Sequence, residues 1–280
     1  MSEGEYTPPE VFTFDAEKAF PKFNRPYAGA THERELPRGK HPFQLYSLGS
    51  PNGQKVTIMF EELLALGITG AEYDAWFVNI MESEQFGSGF VAINPNSKIP
   101  ALLDLSGSEE IRIFESAAML LHLGEKFGHF LPADAKARAE CFSWLMWQMS
   151  TAPVLGGGFG HFFGIAPVKL EYPINRFAIE AKRIFDVADK RLAVSRFLAG
   201  DAYTIADIAV FPWLYYFMRN DAYGGGGRFL DVGSYRNINR WIDEISDRPA
   251  VKRGLKVNLP IEGFARERHS AADIDAVMEG

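Results

Sequence analysis

Two short segments in the first half of the chain carry the residues best suited to chemistry. Residues 94–102 (NPNSKIPAL) form a loop that ends in Pro100 before an apolar run, and residues 113–116 (IFES) end a second apolar run in an acid and a hydroxyl. An X-Pro bond can be cis at modest cost, usually in a tight turn that exposes the preceding residue's backbone. We therefore expect Ile99 to offer its N–H and C=O to an extended ligand backbone.

Glu115 and Ser116 stand at the predicted start of a helix. The hydroxyl and backbone N–H of Ser116 suit a carboxylate, because unpaired N–H groups and the helix dipole favour negative charge there. The Glu115 carboxylate suits an ammonium. Together the two segments predict a grip on a peptide with a free amino-acid end. The alternative is that Pro100 ends an ordinary loop and that Glu115 and Ser116 form an ordinary helix cap.

Residues 49–55 (GSPNGQK) superficially resemble a phosphate-binding loop. A P-loop needs four residues between its glycines and a Lys-Ser/Thr pair, whereas here three residues intervene and Lys55 precedes Val56. We instead place Ser50 and Asn52 at the start of the first helix, where hydroxyl and amide donors can converge on a bound thiol. The alternative is that both are turn and cap residues.

Composition limits the classes of function. A chain of 280 residues that is 47% hydrophobic can form one large or two medium domains, and we favour two. A formal charge of −7 argues against nucleic acid or an anionic membrane as partner. The single cysteine, Cys141, excludes an intrachain disulfide framework and a catalytic dithiol, so thiol chemistry would require a sulfur brought by a ligand.

Other signals of location and metal binding are missing from the sequence. The six histidines show no paired metal-ligand spacing, so no metal site is predicted. The N-terminal residues lack the pattern of a secretory signal, and no apolar run reaches the ~18 residues of a membrane span. These observations predict a soluble cytoplasmic protein.

Hydrophobic patterning divides the chain into four parts: an irregular arm (1–42), a first domain (43–132), an all-helical domain (133–255) and a polar tail (256–280). A disordered leader is the alternative for the arm. In the first domain we predict a strand at 43–48, a helix from Gly53 to Gly67, a strand at 72–78 and a hairpin of 101–105 with 111–114. The right-handed crossover makes the first strand pair parallel and the hairpin antiparallel, so the sheet is mixed.

The second half shows long helical patterns at 135–155, 172–195, 208–217 and 236–246. Thr204 and Asp207 form a capping-box variant, which we assign to folding and not to catalysis. Glycine tracts at 156–160 and 224–227 lack the strand-turn-helix setting of nucleotide loops, so we interpret them as a closely packed helix break and a loop. Cys141 is predicted to be a buried apolar residue of a helix.

The order of these elements resembles the thioredoxin-like domain and the helical domain of cytosolic glutathione transferases. The finer pattern resembles the bacterial nu class over nearly the whole chain. It is carried by residues 24–26 (NRP), 45–49 (LYSLG), 51–55 (PNGQK), 87–94 with Asn96, 156–161 (GGGFGH) and 249–254 (PAVKRG). The resemblance implies a homodimer that binds glutathione, with the site between the two domains and a tail that folds back toward it.

The resemblance also implies roles for individual residues. Ser50 and Asn52 would activate the glutathione thiol, in place of Tyr46, which we expect to pack in the core. The residues that would hold one or two glutathione molecules are Asn24, Pro51, Gln85, Lys98, Ile99, Glu115, Ser116, Gln148 and Arg176. Met149 falls where the family pattern leads us to expect a glutamine, and Gln148 lies about 100° around the helix from it, so that contact stays open.

Members of this class act as glutathione-dependent disulfide-bond oxidoreductases, which is the function the resemblance implies here. We expect peroxide reduction as a side activity. Conjugation of electrophiles should be weak, because the sequence shows no dedicated apolar substrate pocket. Two alternatives stay open: a conjugating transferase, and a non-catalytic glutathione-binding or regulatory protein.

Overall fold

The computed structural model describes residues 6–20 and 24–279, and the core of its first half is a four-stranded sheet. The strands are β1 (Phe43–Ser47), β2 (Tyr73–Phe77), β3 (Ala101–Asp104) and β4 (Ile111–Phe114), in the order β2-β1-β3-β4. β1 pairs with β2 in parallel, and the β1–β3 and β3–β4 pairs are antiparallel. The predicted mixed sheet is confirmed.

Helices cover both faces of this sheet. α1 (Pro51–Ala65) and α3 (Ser116–Phe127) share the main core with one face, and α2 (Ser88–Ile93) packs on the other. Single 3₁₀ turns lie at Thr69–Ala71, Ile80–Glu82 and Glu84–Phe86. α1 begins before the predicted Gly53, because Ser50 caps it and Pro51 suits its first position.

The second half is helical, as predicted. It contains α4 (Ala135–Pro153), a π-helix (Val154–Ile165), α5 (Glu171–Ala193), α6 (Ile205–Arg219), α7 (Ala222–Phe229), a 3₁₀ turn (Val232–Ser234), α8 (Arg236–Ser246), α9 (Pro249–Gly254) and α10 (Ala271–Met278). Cys141 is buried in α4, as expected. No helix within the described residues is both long and apolar enough to cross a membrane.

The first glycine tract corrects one prediction. Residues 156–160 do not break the helix, because α4 continues directly into the π-helix. The close packing is confirmed: a Cβ on Gly160 would lie 2.2 Å from the ring of Tyr223, and one on Gly156 2.6 Å from Trp213. The second tract combines helix and loop, since Gly224 and Gly225 have positive φ inside α7.

The arm and the tail both pack against the first domain. Backbone hydrogen bonds join Thr31 to Phe86 and Gly89 to Arg34 along the arm. The tail adds a bridge to the edge strand β2, where the buried Arg268 exchanges backbone hydrogen bonds with Ala75. Asn258 accepts a hydrogen bond from the backbone of Gly49, so the tail reaches the loop before α1. The arm predictions at residues 1–5 and 21–23 lie outside the described residues.

Candidate active site

A cleft of about 410 Å³ opens where the sheet domain meets the helical domain. It combines the loop before β3, the starts of α1 and α3, the junction of α4 with the π-helix, and α6. The lining residues are Asn52, Asn94, Asn96, Lys98, Ile99, Pro100, Glu115, Ser116, Met149, Ala152, Pro153, Gly156, Gly157 and Trp213. Both sequence segments singled out for ligand binding therefore meet at one cleft.

Ile99, Glu115 and Ser116 have the backbone arrangement that the sequence predicts. The Ile99–Pro100 peptide bond is cis, and among residues 6–20 and 24–279 neither backbone group of Ile99 has a hydrogen-bond partner. Glu115 has φ +71°, an uncommon conformation for a non-glycine residue, at the step from β4 into α3. Ser116 is the first residue of α3, which has no side-chain cap. The cleft thus presents unused backbone groups beside one carboxylate and one hydroxyl.

Asn52 lies in the first turn of α1 and faces the cleft. Its Oδ1 accepts a 2.9 Å hydrogen bond from Nε1 of Trp213 on α6. Because the indole N–H can only donate, this contact turns the carbonyl of Asn52 toward Trp213 and leaves the Nδ2 amide as a donor for another group. The sequence did not predict a role for Trp213 in the site, because a tryptophan in an apolar helix is ordinarily a core residue.

Ser50 caps α1, and its Oγ accepts a long 3.4 Å hydrogen bond from the backbone of Gly53. Ser50 and Pro51 lie beside a second cavity of about 580 Å³. Its walls carry aromatic rings and two cations; its lining includes Tyr215, Tyr216, Tyr223, Phe264, Lys252 and Lys256. The helix start at which Ser50 and Asn52 lie is therefore shared by both cavities.

Lys55 lies directly beneath the cleft and is completely buried. Its Nζ donates to Ser116 Oγ at 3.2 Å and to Gln148 Oε1 at 2.6 Å. Burial lowers the pKa of Lys55 to about 7, while the Glu115 carboxylate acts to raise it. In the sequence, Lys55 argued against a P-loop and belonged to the family pattern at residues 51–55, but no role in the site was predicted for it. The available signal was a cation in the first turns of a helix, where the dipole disfavours it, on an otherwise apolar segment.

Lys98 and Asn24 lie toward the N-terminal arm. Lys98 lines the main cleft and also a neighbouring cavity of about 390 Å³ between the arm and the loop before β3, and Asn24 lines this neighbouring cavity but not the main cleft. Arg25 lies 3.8 Å over the ring of Phe86 and fixes the arm here. The structure places Asn24 next to the candidate site without bringing it into the main cleft.

Besides Asn24 and Pro51, three further predicted ligands do not line the main cleft. Gln148 is 2% exposed and contacts Lys55 from below, whereas Met149 reaches the cleft wall. Gln85 is buried and donates to the carbonyl of Ile80 at 3.4 Å. Arg176 is an exposed residue of α5 that pairs with Glu180 at 2.8 Å. The roles of these three residues in ligand binding stay predictions.

Tyr46 packs in the core, as predicted, on the sheet face that α2 covers. Its hydroxyl donates to the carbonyl of Pro37 in the arm at 2.7 Å. Burial raises the pKa of Tyr46 to about 12. Tyr46 therefore ties the arm to the sheet and does not face the cleft.

Comparisons with known proteins agree with this architecture. The family models for the N-terminal and C-terminal domains of glutathione S-transferase match residues 44–125 and 171–244. The chain is 56% identical to the disulfide-bond oxidoreductase YghU of Escherichia coli, over 100% of this chain and 98% of that protein.

Two solved structures extend the likeness. Glutathione transferase YghU from Streptococcus pneumoniae, complexed with glutathione, is 54% identical with a TM-score of 0.87, covering 90% of this chain and 97% of that one. A family member from Pseudomonas fluorescens, with two glutathione bound, is 37% identical with a TM-score of 0.70, covering 76% of this chain and 92% of that one. The chain described here therefore belongs to the glutathione S-transferase family.

Proposed function

We propose that this protein binds glutathione in the main cleft and uses it to reduce disulfides by thiol–disulfide exchange. The observation that carries the proposal is the meeting of the unpaired Ile99 backbone, Glu115 and Ser116 with the amide of Asn52 in one cleft. The first three suit a γ-glutamyl peptide, and Asn52 suits its sulfur. The oxidoreductase name of the Escherichia coli relative supports the same reaction.

The chain itself supplies no exposed thiol. Cys141 is buried in α4, and burial raises the pKa of its thiol. A reactive sulfur must therefore come from the ligand. A free thiol has a pKa of about 8.5, and lowering it by about two units takes about 2.7 kcal/mol. Two or three charge-assisted hydrogen bonds at a helix N-terminus can supply that amount.

The reaction needs two glutathione molecules per disulfide reduced. The thiolate of the first attacks one sulfur of the substrate disulfide, forms a mixed disulfide and releases the other half as a thiolate that takes up a proton. The thiolate of a second glutathione attacks the glutathione sulfur of the mixed disulfide, giving oxidised glutathione and the second substrate thiol. The aromatic cavity beside Ser50 has room for the departing half.

The finer assignment follows the resemblance: a nu-class enzyme, homodimeric and cytoplasmic, with peroxide reduction as a side activity. The structure supports conjugation of electrophiles more strongly than the sequence did. We expected no apolar substrate pocket, but the structure contains an aromatic cavity at the α1 N-terminus. Conjugation of electrophiles is therefore the second candidate function.

The test compares turnover of hydroxyethyl disulfide with that of 1-chloro-2,4-dinitrobenzene, after calorimetry has measured glutathione binding to the wild-type chain. We expect faster turnover of the disulfide. Asn52→Ala should reduce disulfide turnover roughly 10-fold to 100-fold, because one donor to a thiolate is worth about 1.5–3 kcal/mol. Asn237→Ala, which changes an asparagine on α8 that lines none of the cavities described above, is the control.

Each alternative gives a different result. Faster turnover of the aromatic halide would make the protein a conjugating transferase. Glutathione binding without turnover of either substrate, unchanged in Ser50→Ala and Asn52→Ala, would make it a non-catalytic binding protein. Failure of glutathione to bind would overturn the proposal altogether.

A further inference from the structure

The buried amino group of Lys55 lies under the part of the cleft that we assign to the free amino-acid end of glutathione. Lys55 is 0% exposed and cannot contact a ligand. Its Nζ instead contacts Ser116 Oγ at 3.2 Å, and Ser116 itself lines the cleft. Ser116 therefore separates the buried amino group of Lys55 from the space that the ligand would occupy.

The direction of this hydrogen bond decides what Ser116 can do. In its charged form Lys55 has three donors and no acceptor, so Ser116 Oγ must accept from the ammonium. The hydroxyl hydrogen of Ser116 is then free to point elsewhere, and its neighbour within the described residues is the weak acceptor Sδ of Met149 at 3.8 Å. A carboxylate in the cleft would be a much better acceptor. Lys55 thus makes Ser116 a donor toward the cleft.

The hydrogen-bond partners of Lys55 are uncharged, which is unusual for a buried lysine and indicates a functional role. From α4 it meets the uncharged Gln148 and Met149, and from the start of α3 it meets Ser116 and, at longer range, the carboxylate of Glu115. The charged group that acts on Lys55 is therefore the exposed Glu115, which we assign to the ligand's ammonium. Gln148 Nε2 is also buried, and no partner for it lies among the described residues.

We propose that Lys55 is a positioning residue that holds the α-carboxylate of the γ-glutamyl group through Ser116, and that it takes up a proton when this carboxylate binds. This inference rests on the proposed binding of glutathione. Without ligand, burial favours the neutral amine of Lys55. A carboxylate on Ser116 adds a negative charge close to Lys55 and favours the ammonium, so proton uptake and ligand binding are coupled.

The experiment uses S-methylglutathione, because its blocked sulfur cannot release a proton. Titration calorimetry of the full-length protein at pH 8, in buffers of different ionisation enthalpy, counts the protons exchanged on binding. We expect the wild-type protein to take up about 0.5–1 proton per site, since a lysine with a pKa of about 7 is mostly neutral at this pH. No uptake by a wild-type protein that binds the ligand would overturn the inference.

A variant tests the same point independently. Lys55→Met should weaken S-methylglutathione binding roughly 10-fold to 100-fold, the range for loss of a charge-assisted hydrogen bond, and abolish proton uptake. The exposed Lys190→Met is the control for removing a lysine. The analogue γ-aminobutyryl-cysteinylglycine, S-methylated, lacks the α-carboxylate, and Lys55→Met should weaken its binding less than threefold.

Two further outcomes separate this role from a structural one. In a Ser116→Ala background, Lys55→Met should have a smaller effect than in the wild type, because the two residues act in series. An equal loss for both ligands would show that Lys55 only supports the fold, and would overturn the inference. If Lys55→Met does not fold, the wild-type proton count decides. Failure of wild-type protein to bind S-methylglutathione would instead reject the proposed function.

Discussion

Two buried charged residues, Asp207 and Lys55, show how differently one chain can use the same costly feature. Asp207 on α6 is completely buried and accepts four hydrogen bonds: from the backbone of Leu198, from the backbone and hydroxyl of Thr204, and from Trp241 Nε1. Its capping box is formed on both sides. All of its partners belong to the fold, and it lines none of the cavities described above.

Lys55 is buried to the same degree, but its surroundings are open on one side. One of its partners, Ser116, lines the cleft, and another, Gln148, keeps an amide without a partner among the described residues. A buried charge costs free energy unless it is paired or hydrogen-bonded. Asp207 meets that requirement within the protein, whereas Lys55 meets it fully only when an anion occupies the cleft. The difference separates a residue that specifies the fold from one that serves the site.

The largest expected effect is that of Asp207→Ala on stability. The substitution leaves three buried N–H donors without an acceptor, so we expect a loss of about 3–5 kcal/mol in the free energy of unfolding. Urea denaturation measures it, and the exposed Asp201→Ala is the control. Glutathione affinity of the remaining folded protein should be unchanged. A stable Asp207→Ala variant that cannot bind glutathione would erase the distinction between the two residues.

The second prediction concerns pH and Lys55. Its pKa is lowered in the folded state, so between pH 7 and 10 the unfolded chain binds more protons and stability rises with pH. From pH 7 to 8.5 this contribution is about 1.5 kcal/mol. Unfolding free energies of wild type and Lys55→Met at both pH values measure it, with Lys190→Met as the control. If wild type and Lys55→Met change equally with pH, Lys55 is already an ammonium in the free protein.

The sequence predicts Asp207 far better than it predicts Lys55. A capping box is local, since Thr204 and Asp207 lie within one helical turn and their hydrogen bonds follow from that spacing. The strands, the hairpin and α8 were predictable for the same reason, because periodicity and turn residues are local. The X-Pro bond and the acid–hydroxyl pair at a helix start, together with the family resemblance, predicted Ile99, Glu115 and Ser116, and the structure brings all three to one cleft.

Contacts between distant segments account for what was missed. Lys55 meets Gln148 only because the fold brings one side chain of α4 to the start of α1, and Asn52 meets Trp213 only because α6 packs against α1. The bridge from Arg268 to Ala75 joins the C-terminal tail to β2 of the first domain, which are far apart in the sequence. The glycines at 156–160 suggested a break, but the large rings of Trp213, Phe177 and Tyr223 pack against them and the helix continues as a π-helix.

The third prediction compares two tryptophans: Trp213 donates to Asn52 in the cleft, and Trp241 donates to Asp207 in the core. Trp213→Phe removes the donor that orients Asn52, so we expect kcat for the disulfide to fall about fivefold, equivalent to about 1 kcal/mol, with little change in stability. Trp241→Phe removes a donor to Asp207 and should lower stability by about 1–2 kcal/mol, with kcat unchanged. Steady-state kinetics and urea denaturation of both variants measure these opposite effects on kcat and stability. Equal effects of the two substitutions would contradict the comparison.

The smallest effect is expected for Tyr46→Phe, which tests whether Tyr46 belongs with Asp207 or with Lys55. Its hydroxyl donates to the carbonyl of Pro37 and does not line the cleft, so it is not placed to donate to a thiolate there. We expect a stability loss of about 1 kcal/mol from the missing hydrogen bond to the arm. The pH profile of disulfide turnover should match that of the wild type, because we propose that this profile follows a glutathione sulfur bound at the start of α1 and not Tyr46. A drop in kcat together with a shifted profile would move thiol activation to Tyr46.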